Sequence, residues 1–302
     1  MRVRTDRATS RLPATLALVA ATAVWGSTFL VTKSALPETS PSSFLAWRFG
    51  LAAAVLLLVG PDRVRALPGP ARRHGVFLGV ALGAGFLLQT RGLVTTPAGL
   101  SGFLTGTAVV LTPLVAALAF REVVGRAGWA AAGLATAGLA LIGLRGGGVT
   151  TGAVLTLAGA ACFAVHIAGL SRWATAFNAY GLTAWSVAVA AGLCAGIAIL
   201  QGDLGVPATV EALRAVVYLA LAATCVGFVV QAWAQSALSA TTAAVVMTSE
   251  PLFAAGIAVA VGGEALAATA WLGGALVVGS MVLAEVGARD CCDALSPRVE
   301  CC

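Results

Sequence analysis

Charge is what this sequence has least of. Of its 302 residues only 10% are charged, against 59% that are hydrophobic, and the mean hydropathy is +0.96. That balance excludes a soluble globular domain, in which about a quarter of residues carry charge. Histidine is rarer still, with two copies, and no HExxH occurs, so short-motif zinc chemistry is excluded. The glycine-rich pieces "RGGGVT" and "VGGEA" lack the strand context and the lysine of a phosphate loop. Both absences argue against an ATP-hydrolysing domain within this sequence. Its basic residues are dispersed over short loops with no aromatic platform between them, which argues against nucleic acid as a partner. Alternating ten-residue strands are missing as well, and with them the closed β-barrel. No cofactor is expected.

What the sequence has instead is apolar runs of about 20 residues, the length that crosses a bilayer. These predict an all-α membrane protein with ten transmembrane helices, near 14–35, 42–60, 75–95, 99–120, 127–145, 151–170, 179–200, 213–234, 241–261 and 268–287. The first run is too long for a signal peptide and lacks an early cleavage site, so it is expected to stay as a span. Residues 1–13 then form an N-terminal arm and 288–302 a C-terminal tail, both cytoplasmic under the positive-inside rule. That orientation puts thirteen arginines inside, among them Arg63, Arg65, Arg72, Arg73, Arg121, Arg126 and Arg172. Outside it leaves four basic residues: Lys33, Arg91, Arg145 and Arg214. Seventeen arginines against one lysine, with abundant alanine, point to a bacterial gene of high GC content and so to a plasma membrane. Cys162, Cys194 and Cys225 fall singly within spans as small apolar fillers. Cys291, Cys292, Cys301 and Cys302 pair up in the tail, where no histidine completes a metal site and reduced thiols are expected.

The chain repeats itself. "GFLLQTRGL" from Gly85 and "GFVVQAWAQ" from Gly227 share Gly, Phe and Gln at one offset, which also relates Glu122 to Glu264 and Trp129 to Trp271. "AVVLTPL" from Ala108 answers "AVVMTSEPL" from Ala244, and "LAWR" with Trp47 answers "TAWS" with Trp185. Matches in one order at four places indicate duplication. Five spans per copy force the second copy to enter from the opposite side, giving two inverted five-helix repeats at 14–145 and 151–287. Inverted repeats that exchange conformations can open a central site alternately to each side.

Four stretches carry a resemblance to a known family: "WGSTFLVTKSAL" in the first span, "LAWRFGLAAAVLLL" in the second, "QTRGLVTTPAGLSGFLTGTAVVLTPLVAAL" across the third and fourth, and "SEPLFAAGIAVAVGGEALAATAWLGGALVVGSMVLAE" near the end. They resemble the EamA-like branch of the drug/metabolite transporter superfamily over about residues 14–287. The resemblance implies ten spans in two five-helix repeats, and export of amino acids, other metabolites or drugs.

The candidate pathway residues are polar groups at depth. Glu250 lies about nine residues into its span, roughly 14 Å deep at 1.5 Å per residue. A carboxylate there costs a few kcal/mol unless it faces a cavity, finds a partner or is protonated. Pro251 beside it removes a helix hydrogen bond, so the pair predicts a locally broken helix lining a translocation path; a packing kink is the alternative. Arg48 is deep in the second span and suits a cavity or ion-pair role, whereas Lys33 is expected to snorkel. Arg91 either anchors the interface or binds an anionic group. His166 suits a proton relay with Glu250 or a plain bond to a neighbouring helix. Gln89 and Gln231, matched by the repeat, are candidate substrate contacts. Trp25, Ser27 and Thr28, around Gly26, either line the cavity or serve helix packing. Together these predict a secondary transporter that exports a small amino-acid-like or drug-like molecule, with proton exchange. A membrane-embedded enzyme and a passive channel are the rival readings, and the sparse, scattered ionisable groups disfavour the enzyme.

Overall fold

The computed structural model describes residues 3–96, 98–121, 124–143, 150–262, 269, 272–280 and 282–283, all of its regular structure helical. Glu122, Arg145, Glu264, Trp271, the tail arginines and the four tail cysteines lie outside the described residues.

The first half comprises α1 (Val3–Ala35), a 3₁₀ turn (Leu36–Glu38), α2 (Pro41–Val59), the short α3 (Pro61–Arg65), α4 (Gly69–Thr95), α5 (Ala98–Gly106), α6 (Ala108–Phe120) and α7 (Arg126–Gly143). The second comprises α8 (Thr151–Trp173), α9 (Ala179–Gln201), α10 (Val210–Tyr218), which runs through a π-helical segment (Leu219–Val226) into α11 (Gly227–Gln235), then α12 (Ala240–Met247) and α13 (Glu250–Gly262). Residues 272–280 are helical too. Local chemistry sets these limits. Ser40, Thr150, Thr209 and Ser239 accept a backbone N–H of the first turn of α2, α8, α10 and α12 through their hydroxyls. Gly202 ends α9 in the left-handed region at φ 71°.

Among the described residues six helices are long and apolar enough to cross a membrane: Arg11–Glu38, Pro41–Val59, Gly69–Thr95, Thr151–Trp173, Ala179–Gln201 and Val210–Gln235. The other expected spans differ in kind. The one expected at 99–120 divides at Thr107 into α5 and α6, that at 127–145 is the 18-residue α7, described as far as Gly143, that at 241–261 divides at Thr248 and Ser249 into α12 and α13, and that at 268–287 is described only in part. The first helix also reaches back to Val3, through Pro13, rather than beginning near residue 14.

The halves interlock instead of sitting side by side. Helix α4 of the first half is wedged between α8 and α9 of the second. Gly75, Gly79 and Gly83, four residues apart, form the α4 stripe that meets α9; a methyl group on Gly79 would fall 2.6 Å from the Ser186 carbonyl oxygen. Without a hydrophobic drive between helices in lipid, such close backbone contact supplies the packing. Helices α2 and α9, whose tryptophan motifs match in the repeat, lie antiparallel. Ser42 at the start of α2 donates to Gln201 at the end of α9 (2.8 Å), while Tyr180 at the start of α9 donates to the Leu56 carbonyl near the end of α2 (2.7 Å).

Candidate functional site

A cavity of about 90 Å³ lies where the two halves meet. Side chains from both line it: Trp25 and Thr28 of α1, Arg48 of α2, Phe86 and Gln89 of α4, His166 of α8, Gln231 of α11, Thr248 just after α12, and Glu250 and Pro251 of α13. The volume holds several water molecules and falls below the roughly 300 Å³ of the smallest drug-sized pockets.

Arg48 is 2% exposed, yet it sits near the middle of an apolar helix. Its placement depends on the π-helical segment. Widening of the helix there lets Thr224 bond the carbonyl five residues back, at Leu219 (2.9 Å), and the same hydroxyl accepts the Arg48 Nε–H at 3.0 Å. The guanidinium carbon lies 4.7 Å from the Phe86 ring centre and 5.4 Å from that of Phe49, within cation–π range. Trp25 is fixed by the same segment: its indole N–H donates to the Ala223 carbonyl at 2.8 Å, against Gly227, where a methyl group would come within 2.7 Å of the indole nitrogen. π-Helical insertions of this kind concentrate at functional sites.

Glu250 opens α13 directly after the break. The Thr248 and Ser249 amides turn back to the Val245 and Val246 carbonyls three residues earlier, both at 3.1 Å, so α12 tightens and stops. Ser249 is held across the bundle by Thr22 of α1 (2.7 Å between hydroxyls). Helix α1 approaches the new helix at Gly26, where a methyl group would lie 2.8 Å from the Phe253 Cβ and 3.0 Å from the Glu250 carbonyl oxygen. A carboxyl group at the first position of α13 meets the positive end of that helix and lines the same cavity as Arg48. The broken helix expected from Glu250 and Pro251 is therefore present, with the break at the two residues before them.

The glutamines differ in partners. Gln89 donates to Thr105 of α5 (2.9 Å), whereas Gln231 donates to Gln235 (2.8 Å), and Gln235 donates in turn to the Ile167 carbonyl (2.9 Å) and the Ser171 hydroxyl (2.7 Å). His166, 4% exposed, places Nδ1 3.1 Å from the Leu78 carbonyl, which can only accept; in the neutral ring Nδ1 carries the proton and Nε2 the lone pair. That is the helix-bonded arrangement weighed against a relay, although the ring also lines the cavity.

Two candidates lie elsewhere. Ser27 bonds the Val24 carbonyl and the Tyr218 hydroxyl on an exposed face, and Arg91 is exposed. Lys33 does more than snorkel: its ammonium donates to the Thr96 carbonyl at 2.6 Å, closing the end of α4. Thr224, Gln235 and Phe163 were not singled out by the sequence, and Phe86 and Phe228 stood out only as the matching phenylalanines of the repeat. For Gln235 the spacing of "QAWAQ" held a signal, since i and i+4 share a helix face. Among the described residues no three His, Cys, Asp or Glu side chains cluster as metal ligands.

Comparison with known proteins follows the same division of the chain. The model of the EamA-like transporter family matches residues 12–144 and again residues 150–285. An uncharacterized transporter of Archaeoglobus fulgidus is 30% identical over 282 residues, covering 91% of this chain and 87% of the relative. A crystal structure of a protein superposes with a TM-score of 0.76 at 24% identity, over 93% of this chain and 99% of the other, a likeness of fold.

Proposed function

We propose that this chain, which belongs to the EamA-like transporter family and is a multi-pass membrane protein, works as a secondary transporter that exports a small amino-acid-like metabolite across a plasma membrane. The observation that carries the reading is the placement of a guanidinium, Arg48, and a carboxyl group, Glu250, from opposite halves on one aromatic cavity. An amino acid presents a carboxylate to the first and an ammonium to the second, with its side chain against Phe86 and Phe228. The cavity volume favours such a small zwitterion over a larger drug.

Two inverted five-helix repeats, 14–145 and 151–287, would open this cavity alternately. The antiparallel pairing of α2 with α9 and the two separate family matches support that arrangement. Glu250 is the group assigned to proton exchange: it takes a proton from one side and releases it to the other, while the break before α13 lets that half-helix tilt. The arginine distribution supports a cytoplasmic position for both termini.

The test is transport by purified protein in liposomes with an imposed pH gradient and a panel of labelled neutral amino acids. The reading predicts saturable, gradient-driven accumulation that empty liposomes lack. Chemical conversion of solute without its movement would instead establish a membrane enzyme.

A further inference from the structure

Gln231 is 1% exposed, and its Oε1 is a buried polar atom with no hydrogen-bond partner. The neighbouring bonds fix which end of the amide this is. The Ile167 carbonyl can only accept, so the group of Gln235 that meets it at 2.9 Å is the NH₂, which also reaches the Ser171 hydroxyl. The other end of Gln235, Oε1, then faces Gln231 and demands a donor, which Gln231 supplies through Nε2 at 2.8 Å. The second hydrogen on that nitrogen is directed to Met247 Sδ, 3.8 Å away. Both amide hydrogens of Gln231 are thus engaged, and only the acceptor is left over, on a glutamine that lines the cavity. Reversing Gln231 would set two amide oxygens against each other, and reversing Gln235 as well would set its oxygen against the Ile167 carbonyl. A buried acceptor without a partner is unfavourable by about 1–3 kcal/mol, and native structures tolerate few of them.

We infer that Gln235 is a positioning residue that locks Gln231 with its oxygen available to the cavity, so that the site selects ligands bearing an N–H or O–H donor at that point. The polarity originates in a backbone carbonyl of α8 and passes through two side chains to the ligand. The inference rests on the reading of the cavity as the substrate site. It adds a rule that the charges of Arg48 and Glu250 do not impose, because it discriminates between ligands of equal charge and shape.

Nicotinamide and 3-acetylpyridine are a suitable probe pair: both are neutral, water-soluble and flat, and they differ by NH₂ against CH₃. Their dissociation constants are measured by calorimetry on the full chain in lipid nanodiscs, with empty nanodiscs subtracted. Wild type is expected to bind nicotinamide about tenfold more tightly, the order expected for leaving a buried acceptor unpaired. In Gln235→Leu the Gln231 amide is free to reverse, and the preference should fall toward unity while both ligands still bind. In Gln231→Met the acceptor is gone, and the preference should likewise vanish. General damage to the fold weakens both ligands together and leaves their ratio unchanged, so the ratio reports the amide alone. Equal affinities in wild type, or a full preference retained in Gln235→Leu, overturn the inference and leave the cavity a ligand site. Failure of wild type to bind either probe overturns the inference, while the amino-acid transport assay decides the reading of the cavity separately.

Discussion

Glu250 and Arg48 carry the account at the scale of single residues. Glu250→Gln keeps size and hydrogen bonding but cannot ionise; it should fold, insert and exchange substrate for substrate, yet lose accumulation driven by a pH gradient, as read in liposomes. Gradient-driven uptake equal to wild type would reduce Glu250 to a structural role. Arg48→Ala removes a charge-assisted contact of about 1.5–3 kcal/mol and should lower the initial rate about tenfold or more. Lys33→Ala removes only the cap on Thr96, and should lower the unfolding temperature slightly with transport near normal. Near-normal rates in both variants would make Arg48 an anchor. Depth in an apolar run was enough to single out these residues, because an ionisable side chain there is costly wherever it occurs. Partners were not legible: Thr224 is 176 positions from Arg48, and no periodicity announces such a pair. That Ser27 and Arg91 lie away from this cavity was not legible either, since position along a span does not reveal which face a side chain takes.

At the scale of the elements, hydropathy located the helices but not their interruptions. Pro251 announced the break before α13 because proline lacks the N–H that would continue α12. In the other half the matching proline, Pro113, lies inside α6, while the chain breaks earlier, at Thr107. The motif begins at the first residue of α6 but well inside α12, so the repeated sequence sits at different heights in the two broken helices. The π-helical segment was equally invisible, since its composition is that of any apolar helix. Two variants test whether these irregularities serve the site. Gly26→Leu overfills the contact between α1 and α13, a change worth about 1–3 kcal/mol; it should lower both the unfolding temperature and the transport rate. Thr224→Val leaves Arg48 Nε–H without its acceptor, and should reduce transport more than Thr136→Val, whose hydroxyl bonds only its own helix at Ala132. Equal effects of the two threonine variants would remove the π-helical segment from the account.

The whole molecule poses the question of orientation and mechanism. The loops at 36–40 and 203–208 lie at one end of the bundle, joined by the Ser43 hydroxyl, which donates to the Gly205 carbonyl at 2.9 Å, and by the Trp47 indole N–H, which donates to the same carbonyl at 2.7 Å. Single cysteines placed in both loops should therefore react with an impermeant reagent from outside intact cells, while cysteines at either terminus stay shielded. Labelling of one terminus from outside would contradict the inverted repeats. The repeat itself was legible because duplicated motifs kept their order. How the halves interlock was not, because the glycine stripe of α4 names no partner helix. The most direct test of the central claim, that this cavity carries solute by alternating access, is counterflow. Purified protein in liposomes preloaded with an unlabelled neutral amino acid is offered the same compound, labelled, at low concentration outside. The account predicts transient accumulation of label above its outside concentration, saturating with substrate and lost in Arg48→Ala. Flux that rises linearly with concentration, with no overshoot and no effect of Arg48→Ala, would contradict it.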